Sequence, residues 1–318
     1  MPSDGKEGPR GAVPAPAVRY IEVAEDEAGQ RIDNYLIARL KGVPKSRIYR
    51  ILRSGEVRIN MKRVDAAQRV AAGDRIRVPP VRVAARDAPE PAPHFKLPVI
   101  FEDDDLLALD KPAGIAVHGG SGVAHGVIES LRAMRPQARF LELAHRLDRE
   151  TSGVLLVAKK RSALARLHEM LRDRAVDKRY LVGVSGRFRN AMQRVSLSLE
   201  RRVTRDGERR VSVSGSGQEA ETVFRLVERG AEWSLLEAEL LTGRTHQIRV
   251  HLAHLRHPVL GDDKYGDFEL NKALRKLGLK RMFLHAAKVT LAHPSTGEAL
   301  ELAAPLPADL ERFRERMR

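Results

Sequence analysis

The sequence predicts an α+β protein of two domains, a small N-terminal domain followed by a larger one. In residues 19–81, two segments with helical spacing precede two segments that alternate like strands. Residues 82–98 hold several prolines among charged residues, which is typical of a semi-extended linker. From residue 99 onward the chain carries both strand-like runs and amphipathic helical segments. Two of these runs, 220–226 and 233–241, are placed to pair as neighbouring strands.

Composition and charge point to a polyanionic partner. The chain of 318 residues has 57 Lys and Arg against 42 Asp and Glu, a formal net charge of +15. That balance favours nucleic acid or an acidic membrane. No stretch approaches the roughly 18 apolar residues of a spanning helix, and the N-terminus lacks the apolar core of a signal peptide. We therefore expect a nucleic-acid partner, no membrane and a cytoplasmic location. A basic enzyme with a small substrate is the alternative.

The absence of cysteine narrows the possible chemistry. It excludes disulfides, thiolate catalysis and every zinc site built on cysteine. The glycine-rich segment at residues 117–120 lacks the Gly-Lys-Ser/Thr ending of a phosphate-binding P-loop. No nucleoside triphosphate site is therefore predicted.

The N-terminal segments have clear local signals. Residues 1–18 are rich in Pro, Gly, Ala and Ser without apolar periodicity, so a disordered tail is expected. A first helix is expected over 29–40, and a second from Pro44 to Arg53 with Ser46 as its N-cap. The alternating residues 57–60 and 74–78 predict strands.

The second of these helices carries an uninterrupted run of cations, Lys45, Arg47, Arg50 and Arg53. The three arginines are three residues apart, so they lie close to one helix face. Solvated helix faces usually mix charges of both signs, whereas a face of one sign can follow RNA phosphates. We expect these four side chains to bind RNA. A merely solvated face is the alternative.

This N-terminal segment resembles an S4 domain, a small RNA-binding module. The resemblance rests on Arg31-Ile32-Asp33 at the start of the first helix, on Ser46-Arg47, and on the run Ile-Leu-Arg-Ser-Gly-Glu-Val-Arg-Ile-Asn at residues 51–60. It implies an S4 domain over residues 19–81. The linker at 82–98 would join it to a second domain, residues 99–318.

The larger domain is organised around the motif His-Arg-Leu-Asp-Arg-Glu-Thr-Ser-Gly at residues 145–153, directly before a strand-like run at 154–158. Asp148 lies between Arg146 and Arg149, and a carboxylate among cations stays ionised. Such a group can act as a nucleophile or base, or it can simply be half of a structural ion pair. The motif alone leaves both possibilities open.

Other elements of the larger domain follow from spacing and turn signals. The predicted helices of this domain are 126–134, 161–174, 271–277 and 307–318. Its predicted strands are 106–110, 154–158, 177–184 and 283–292, and the strand 283–292 is expected to be the last one. Tyr180 follows two cations near the start of its strand, where it can stack on a base or lie half-buried.

A second dense motif, Gly-Arg-Thr-His-Gln-Ile-Arg, spans residues 243–249 at a predicted helix start. Free N–H groups at a helix start bind phosphate, and Arg244 adds to that. Arg249 lies one turn further and can pair with a buried carboxylate. The histidines at 246, 251, 254 and 257 also permit a metal site with Asp262 or Asp263, although their spacing does not match a His-Glu-x-x-His pair.

Taken in order, these motifs resemble those of the RluA-type pseudouridine synthases with an N-terminal S4 domain. The matching segments are Lys-Pro-Ala-Gly at 111–114, the motif at 145–153, Lys-Arg-Tyr at 178–180 and the motif at 243–249. The resemblance implies a catalytic domain with a bent, mixed, mainly antiparallel sheet and flanking helices. It also implies isomerisation of several uridines in 23S rRNA to pseudouridine, with no cofactor and no metal.

The resemblance assigns roles to particular residues. Asp148 would be the essential carboxylate, Arg249 its partner, and Tyr180 would stack on the flipped base and help proton transfer. Arg146 would fill the gap left in the RNA, and Arg244 and His246 would bind RNA near the site. The expected partner is 23S rRNA or an assembling large-subunit particle, and the protein is expected to be a monomer. The alternatives are a non-catalytic rRNA-binding assembly factor and a metal-dependent RNA hydrolase.

Overall fold

The computed structural model describes residues 17–317 except 41, 82–91, 121–122 and 204–208. Nearly all of the predicted tail (residues 1–16) and most of the predicted linker lie outside the described residues. The described residues form two compact units, 17–81 and 92–317. Each unit has its own buried apolar core.

The smaller unit packs two helices against a four-stranded antiparallel sheet. Its strands follow the order β1-β4-β2-β3. Their bounds are β1 Arg19–Glu22, β2 Arg58–Ile59, β3 Lys62–Arg63 and β4 Arg75–Val78. The helices are α1 Ile32–Arg39 and α2 Lys45–Arg53. The helix-then-strand order predicted from the sequence is therefore present, together with β1 and β3, which the sequence signals did not indicate.

Helix α2 begins two residues earlier than the N-cap prediction required. Pro44 is the N-cap, and Ser46 is the second residue of the helix, so the prediction of Ser46 as the cap is wrong. The two helices are fastened by Asp33, whose carboxylate accepts hydrogen bonds from Arg31 Nη2 at 2.7 Å and from the Tyr49 hydroxyl at 3.1 Å. These contacts explain the Arg31-Ile32-Asp33 sequence in terms of packing.

The larger unit is built on a mixed, mainly antiparallel sheet. The strands follow the order β10-β13-β14-β9-β15-β8-β6-β5, with β16 beside β15 and β7 beside β8. The bounds are β5 Val99–Glu102, β6 Leu106–Lys111, β7 Glu142–Leu143, β8 Ser152–Ala158, β9 Asp177–Ser185, β10 Met192–Ser196, β13 Glu221–Arg229, β14 Trp233–Leu240, β15 Leu284–Ala292 and β16 Ala299–Ala303. A separate hairpin pairs β11 Leu199–Val203 with β12 Arg209–Val213.

Helices cover both faces of this sheet. Their bounds are α3 Val127–Met134, α4 Arg161–Arg172, α5 Gln247–His254, α6 Phe268–Lys276 and α7 Ala308–Met317. Strand β8 is buried along its whole length: Leu155 and Val157 face the core that α3 and α5 cover, and Val154 and Leu156 face the core under α4. Within the described parts of the chain, no helix is long and apolar enough to cross a membrane.

The observed elements confirm the α+β class and correct several details. Strands β13 and β14 pair antiparallel, as their sequence patterns predicted. The prediction that 283–292 is the last strand is wrong, because β16 follows and pairs with β15. Strand β16 has only five residues, of which only Leu302 is buried, so its own pattern gives a weak strand signal.

Gly153 allows the motif at 145–153 to run directly into the centre of the sheet. Its φ of +108° is rarely adopted by residues with a side chain, and a Cβ there would lie 2.1 Å from the carbonyl oxygen of Ala286 on β15. Strands β8 and β15 are parallel at this point. The glycine therefore lets the turn that carries Asp148 join the sheet where two strands approach closely.

Two buried histidines link the stability of the larger unit to pH. His285 Nδ1 lies 2.9 Å from Ser152 Oγ and its Nε2 lies 3.1 Å from the Ala304 carbonyl oxygen. His251 Nδ1 lies 3.0 Å from Thr222 Oγ1. Burial lowers the pKa of each imidazole from 6.5 to about 4. Both side chains are therefore neutral at neutral pH.

We expect the free energy of unfolding to decrease as the pH falls from 6.5 toward 4. Between these pH values the two histidines are protonated in the unfolded chain but stay neutral in the folded protein. Each histidine therefore lowers the free energy of unfolding by about 1.4 kcal/mol per pH unit. Chemical denaturation at several pH values measures the slope. Asparagine does not titrate in this range. In the variant His285→Asn the free energy of unfolding should therefore fall less steeply with decreasing pH, by about 1.4 kcal/mol per pH unit. An unchanged slope would contradict this assignment.

Candidate active site

A cleft of about 1030 Å³ lies on the larger unit, where the turn before β8, the first half of β9 and the start of α5 meet. Six of the side chains singled out from the sequence line it, although they are far apart in the chain. They are Arg146, Asp148, Tyr180, Arg244, His246 and Arg249. The four cations of α2 belong to the smaller unit and are described separately below.

The turn that carries Asp148 is held in place by a hydrogen bond from Lys111, the last residue of β6. Its ammonium group is fully buried and donates hydrogen bonds to three carbonyl oxygens, those of Pro112 (2.9 Å), Ile115 (2.8 Å) and Arg149 (3.1 Å). Burial, and then the charge of Arg281, lowers the pKa of Lys111 to about 7. Lys111 thus ties the Lys-Pro-Ala-Gly turn to the Asp148 turn.

Asp148 pairs with Arg249, as the family resemblance implied, and not with the arginines beside it in the chain. Arg146 is exposed and Arg149 pairs with Glu150. The carboxylate instead accepts a hydrogen bond of 2.9 Å from Arg249 Nη1, on α5. Its side chain remains 26% exposed, toward the cleft. The aspartate is therefore fixed on one side and open to a substrate on the other.

Arg249 is itself fixed by a second carboxylate. Its Nε and Nη2 donate to the two oxygens of Asp262 at 2.7 and 2.8 Å, and its guanidinium carbon lies 5.0 Å from the ring centroid of Tyr265. The Asp262 side chain is fully buried and also accepts from the backbone N–H groups of Lys264 and Tyr265. Burial alone would lower the pKa of Arg249, but the Asp262 and Asp148 carboxylates raise it above its ordinary value.

Strand β9 supplies two side chains to the same face, Lys178 and Tyr180. Tyr180 is 8% exposed, and burial, followed by the charge of Asp148, raises its pKa. Burial also lowers the pKa of Lys178. Burial and then Lys178 lower the pKa of His145 to about 4, and His145 Nε2 accepts a hydrogen bond from the Leu156 N–H. The phenol of Tyr180 is therefore neutral beside the side chain of Asp148.

The start of α5 brings His246 close to Asp148. His246 is the N-cap residue with a φ of +55°, a left-handed conformation. Its Nδ1 lies 2.8 Å from the Tyr265 hydroxyl and its Nε2 lies 3.9 Å from Asp148 Oδ1. Burial lowers the pKa of His246. The imidazole thus forms one wall of the cleft beside the carboxylate.

Gln247 holds the loop before α5 against the sheet. Its side-chain oxygen accepts from Thr242 Oγ1 and the Arg244 N–H, and its side-chain nitrogen donates to the Glu221 carbonyl and Thr222 Oγ1. Arg244 is exposed, with Nε bonded to the Glu219 carbonyl oxygen. Its remaining guanidinium N–H groups can therefore reach a phosphate at the mouth of the cleft.

The histidines of this region do not form a metal-binding group. Across the described ranges of the chain, no three His, Asp or Glu side chains lie close enough to hold a metal ion. His251 bonds to Thr222, His254 is exposed, and His257 lies 2.8 Å from the Ser185 carbonyl oxygen. Asp262, which the sequence suggested as a possible metal ligand, is fully used by Arg249 and the backbone.

Several residues of the site were missed in the sequence. Asp262 was considered only as a possible metal ligand, Tyr265 was not singled out, and Lys111 was noted only as part of the Lys-Pro-Ala-Gly segment. The signal that could have found Asp262 is the number of hydrogen-bond donors: a buried guanidinium has five N–H groups and Asp148 accepts from only Nη1, so the others need a further acceptor. The sequence gives no distance between residues 249 and 262, so the pair had to be observed.

The cations of α2 lie on the surface of the smaller unit. Lys45, Arg50 and Arg53 are exposed and Arg47 is half-buried. Within the described residues, no carboxylate lies in ion-pair distance of any of these four side chains. The binding of RNA by these four side chains stays a prediction.

Comparison with known proteins gives consistent matches. The family model described as RNA pseudouridylate synthase matches residues 105–254, and the S4 domain model matches residues 30–76. Ribosomal large subunit pseudouridine synthase C of Salmonella typhi is 51% identical over 95% of this chain and 98% of the relative. The protein of the same name from Escherichia coli K12 is 50% identical over the same shares of both chains.

Solved structures agree in fold. Human RNA pseudouridylate synthase domain containing 1 superposes with a TM-score of 0.57 at 25% identity, covering 72% of this chain and 97% of that one. Human RNA pseudouridylate synthase domain containing 4 gives a TM-score of 0.56 at 27% identity, covering 69% and 92%. Both cover less of this chain than the bacterial relatives do.

Proposed function

This chain belongs to the RluA-type family of RNA pseudouridine synthases with an S4 domain, and from that premise we propose that it converts several uridines of 23S rRNA to pseudouridine. The enzyme class is that of an isomerase: the N1–C1′ glycosidic bond breaks, the base turns, and C5 bonds to C1′. The proton of C5 is lost and N1 gains one, so no atom is added or removed. The bacterial relatives named for the large ribosomal subunit support the choice of rRNA.

The observation that carries this proposal is the carboxylate of Asp148, which is open to the cleft on one side and paired with Arg249 on the other. Asp148 keeps one side toward the cleft while Arg249 Nη1 binds its Oδ2 at 2.9 Å. The hydrogen bond from Arg249 orients the carboxylate toward the cleft. It can therefore act on the sugar or the base of a uridine placed in the cleft. Arg249 in this role is a positioning residue, because its remaining nitrogens are occupied by Asp262.

Arg146 and Tyr180 are placed to stabilise RNA from which the target uridine has been flipped out of the base stack. Flipping a base costs a few kcal/mol, and an enzyme recovers this by filling the gap and stacking the extruded base. Arg146 is exposed beside the cleft, and Tyr180 lies within it. We assign Arg146 to the gap in the RNA and Tyr180 to the flipped base. Because its pKa is raised, the Tyr180 hydroxyl keeps its proton and can exchange it with the base.

Replacing Tyr180 by phenylalanine is expected to lower kcat roughly 10²–10³-fold, because the proton carrier is lost. The ring that stacks on the base remains, so KM and RNA affinity should change little. Single-turnover rates on an rRNA transcript and a binding titration measure the two effects separately. Tyr180→Leu, which removes the ring as well, is the comparison variant and should raise KM too. Equal kcat values for Tyr180→Phe and the wild type would refute the proton-transfer role.

The remaining cations are assigned to RNA binding. Arg244 and His246 would contact the target strand at the cleft. Lys45, Arg47, Arg50 and Arg53 would follow phosphates through the smaller unit, which we propose to be an S4 domain spanning residues 19–81. The linker would then be 82–98 and the catalytic domain 99–318. The described residues that line the cleft all come from one chain, which supports a monomer. We propose that this monomer acts in the cytoplasm, on 23S rRNA or on an assembling large-subunit particle.

The decisive experiment is pseudouridine mapping across 23S rRNA from cells with and without the gene for this protein. We expect specific pseudouridines to disappear without it and to return when it is resupplied. Those positions would also identify the target uridines. If every 23S pseudouridine persists in the deletion strain, the proposal fails, and a non-catalytic rRNA-binding assembly factor becomes the better assignment.

A further inference from the structure

A second cavity, of about 760 Å³, lies on the larger unit away from the cleft described above. The loop after β9, the end of β13 and the turn after α5 form its walls. Four arginines and one histidine line it, and Phe188 forms its buried floor; the basic residues are Arg187, Arg189, Arg229, Arg256 and His257. None of the described residues that line the cavity is acidic.

The cavity is built by fixed contacts between its walls. Arg229 donates from Nε to the Phe188 carbonyl oxygen at 3.1 Å and from Nη2 to the Arg189 carbonyl oxygen at 3.0 Å. His257 Nδ1 lies 2.8 Å from the Ser185 carbonyl oxygen, and its ring centroid lies 5.3 Å from that of Phe188. These contacts hold the loop after β9 against the turn after α5, so little reorganisation is needed to bind a ligand.

The positive charge of this cavity is not neutralised from within the unit. Among the described residues, no carboxylate lies in ion-pair distance of Arg187, Arg189 or Arg256. Elsewhere on the same sheet the arginines are paired, as Arg179 and Arg225 are with Glu237 and Glu239. Favourable placement at the C-terminus of α5 would account only for Arg256 and His257. Arg187 and Arg189 come from a different segment.

We propose that this cavity binds phosphate groups of the RNA substrate, outside the segment that enters the catalytic cleft. The inference rests on the proposed function, because it takes RNA as the polyanion. Arginine presents N–H groups in a planar fork that matches phosphate geometry. Of the two aromatic side chains in the lining of the cavity, Phe188 is buried, and the half-buried His257 packs against Phe188 and bonds to the Ser185 carbonyl oxygen. The cavity therefore binds backbone rather than sequence.

The position of the cavity relative to the cleft fits an RNA strand that crosses the larger unit. Helix α5 begins at the cleft with His246 and Arg249 and ends beside the cavity at Leu255 and Arg256. At 1.5 Å per residue, its eight residues separate the two sites by about 12 Å. RNA flanking the target uridine can thus bind both sites at once.

The test compares two variants that lose the same charge. The first is Arg187→Gln/Arg189→Gln/Arg256→Asn, where asparagine is chosen because Arg256 has a φ of +61°. Arg229 is left unchanged because it supports the loop. The control is Lys272→Gln/Lys276→Gln/Arg312→Gln, on exposed faces of α6 and α7. Binding of a 23S rRNA transcript and of a short stem-loop carrying one target uridine is titrated over a range of salt concentrations, and pseudouridine formation is measured on both RNAs.

For the cavity variant we expect about tenfold weaker binding of the long transcript, and a salt dependence shallower by about 2 in log–log slope. The kcat at saturating RNA and all values on the stem-loop should match the wild type. An equal loss in the control variant, or no loss in the cavity variant, would overturn the cavity as an RNA site. If the wild type binds RNA but forms no pseudouridine, the proposed function fails instead, and the two failures are distinguishable.

Discussion

Replacing Asp148 by asparagine is expected to abolish pseudouridine formation, with a loss of at least about 10⁴-fold in rate. The amide has nearly the shape of the carboxylate but carries no charge and is a poor nucleophile. Stability should change by less than about 1 kcal/mol, because the side chain is partly exposed and Arg249 keeps its bidentate pair with Asp262. Single-turnover assays on a 23S rRNA transcript and RNA titrations measure both properties.

Glu150 provides the matched control for this variant. It lies two residues away in the same turn and pairs with Arg149 at the surface. Glu150→Gln removes one negative charge from the same turn without touching Arg249, and its activity should stay within a few-fold of the wild type. Substantial activity in Asp148→Asn, or an equal loss in Glu150→Gln, would show that Asp148 is not the essential carboxylate.

Replacing Arg249 by methionine is expected to cost roughly 3–5 kcal/mol in the free energy of unfolding, and the activity as well. Asp262 is fully buried, so without Arg249 its charge would keep, among the described residues, the backbone N–H groups of Lys264 and Tyr265 as partners. Asp148 would lose the guanidinium that fixes it. Chemical denaturation gives the stability change, and the single-turnover assay gives the loss of rate.

The double variant Arg249→Met/Asp262→Asn separates these two losses. A neutral asparagine still accepts the hydrogen bonds from Lys264 and Tyr265, but it carries no charge that needs a partner. Most of the lost stability should therefore return while the rate stays low. Recovery of activity together with stability would mean that Arg249 only supports the fold and does not position Asp148.

The sequence predicted correctly those helices and strands whose own pattern of apolar and polar residues reflects which of their faces are buried. Strand β8 reads as a continuous apolar run because both of its faces are covered. Strands β13 and β14 show alternation because their faces differ in burial. The strands that were missed have weaker signals. β1, for example, is mostly exposed and exists because it pairs with β4 along its length.

The sequence by itself determined the α+β class, the family resemblance and the residues that line the cleft, because motifs and periodicity are local properties of the chain. The family resemblance implied that Arg249 pairs with Asp148, but residue spacing alone left the partner open and gave no sign that Asp262 binds Arg249. Arg146 and Arg149 flank Asp148 in the chain, yet Arg249, 101 residues away, binds it. The network from Asp148 through Arg249 to Asp262 depends on the turn before β8, helix α5 and the loop after it meeting in space. Ion pairs follow distances in three dimensions, and only the tertiary structure sets those distances.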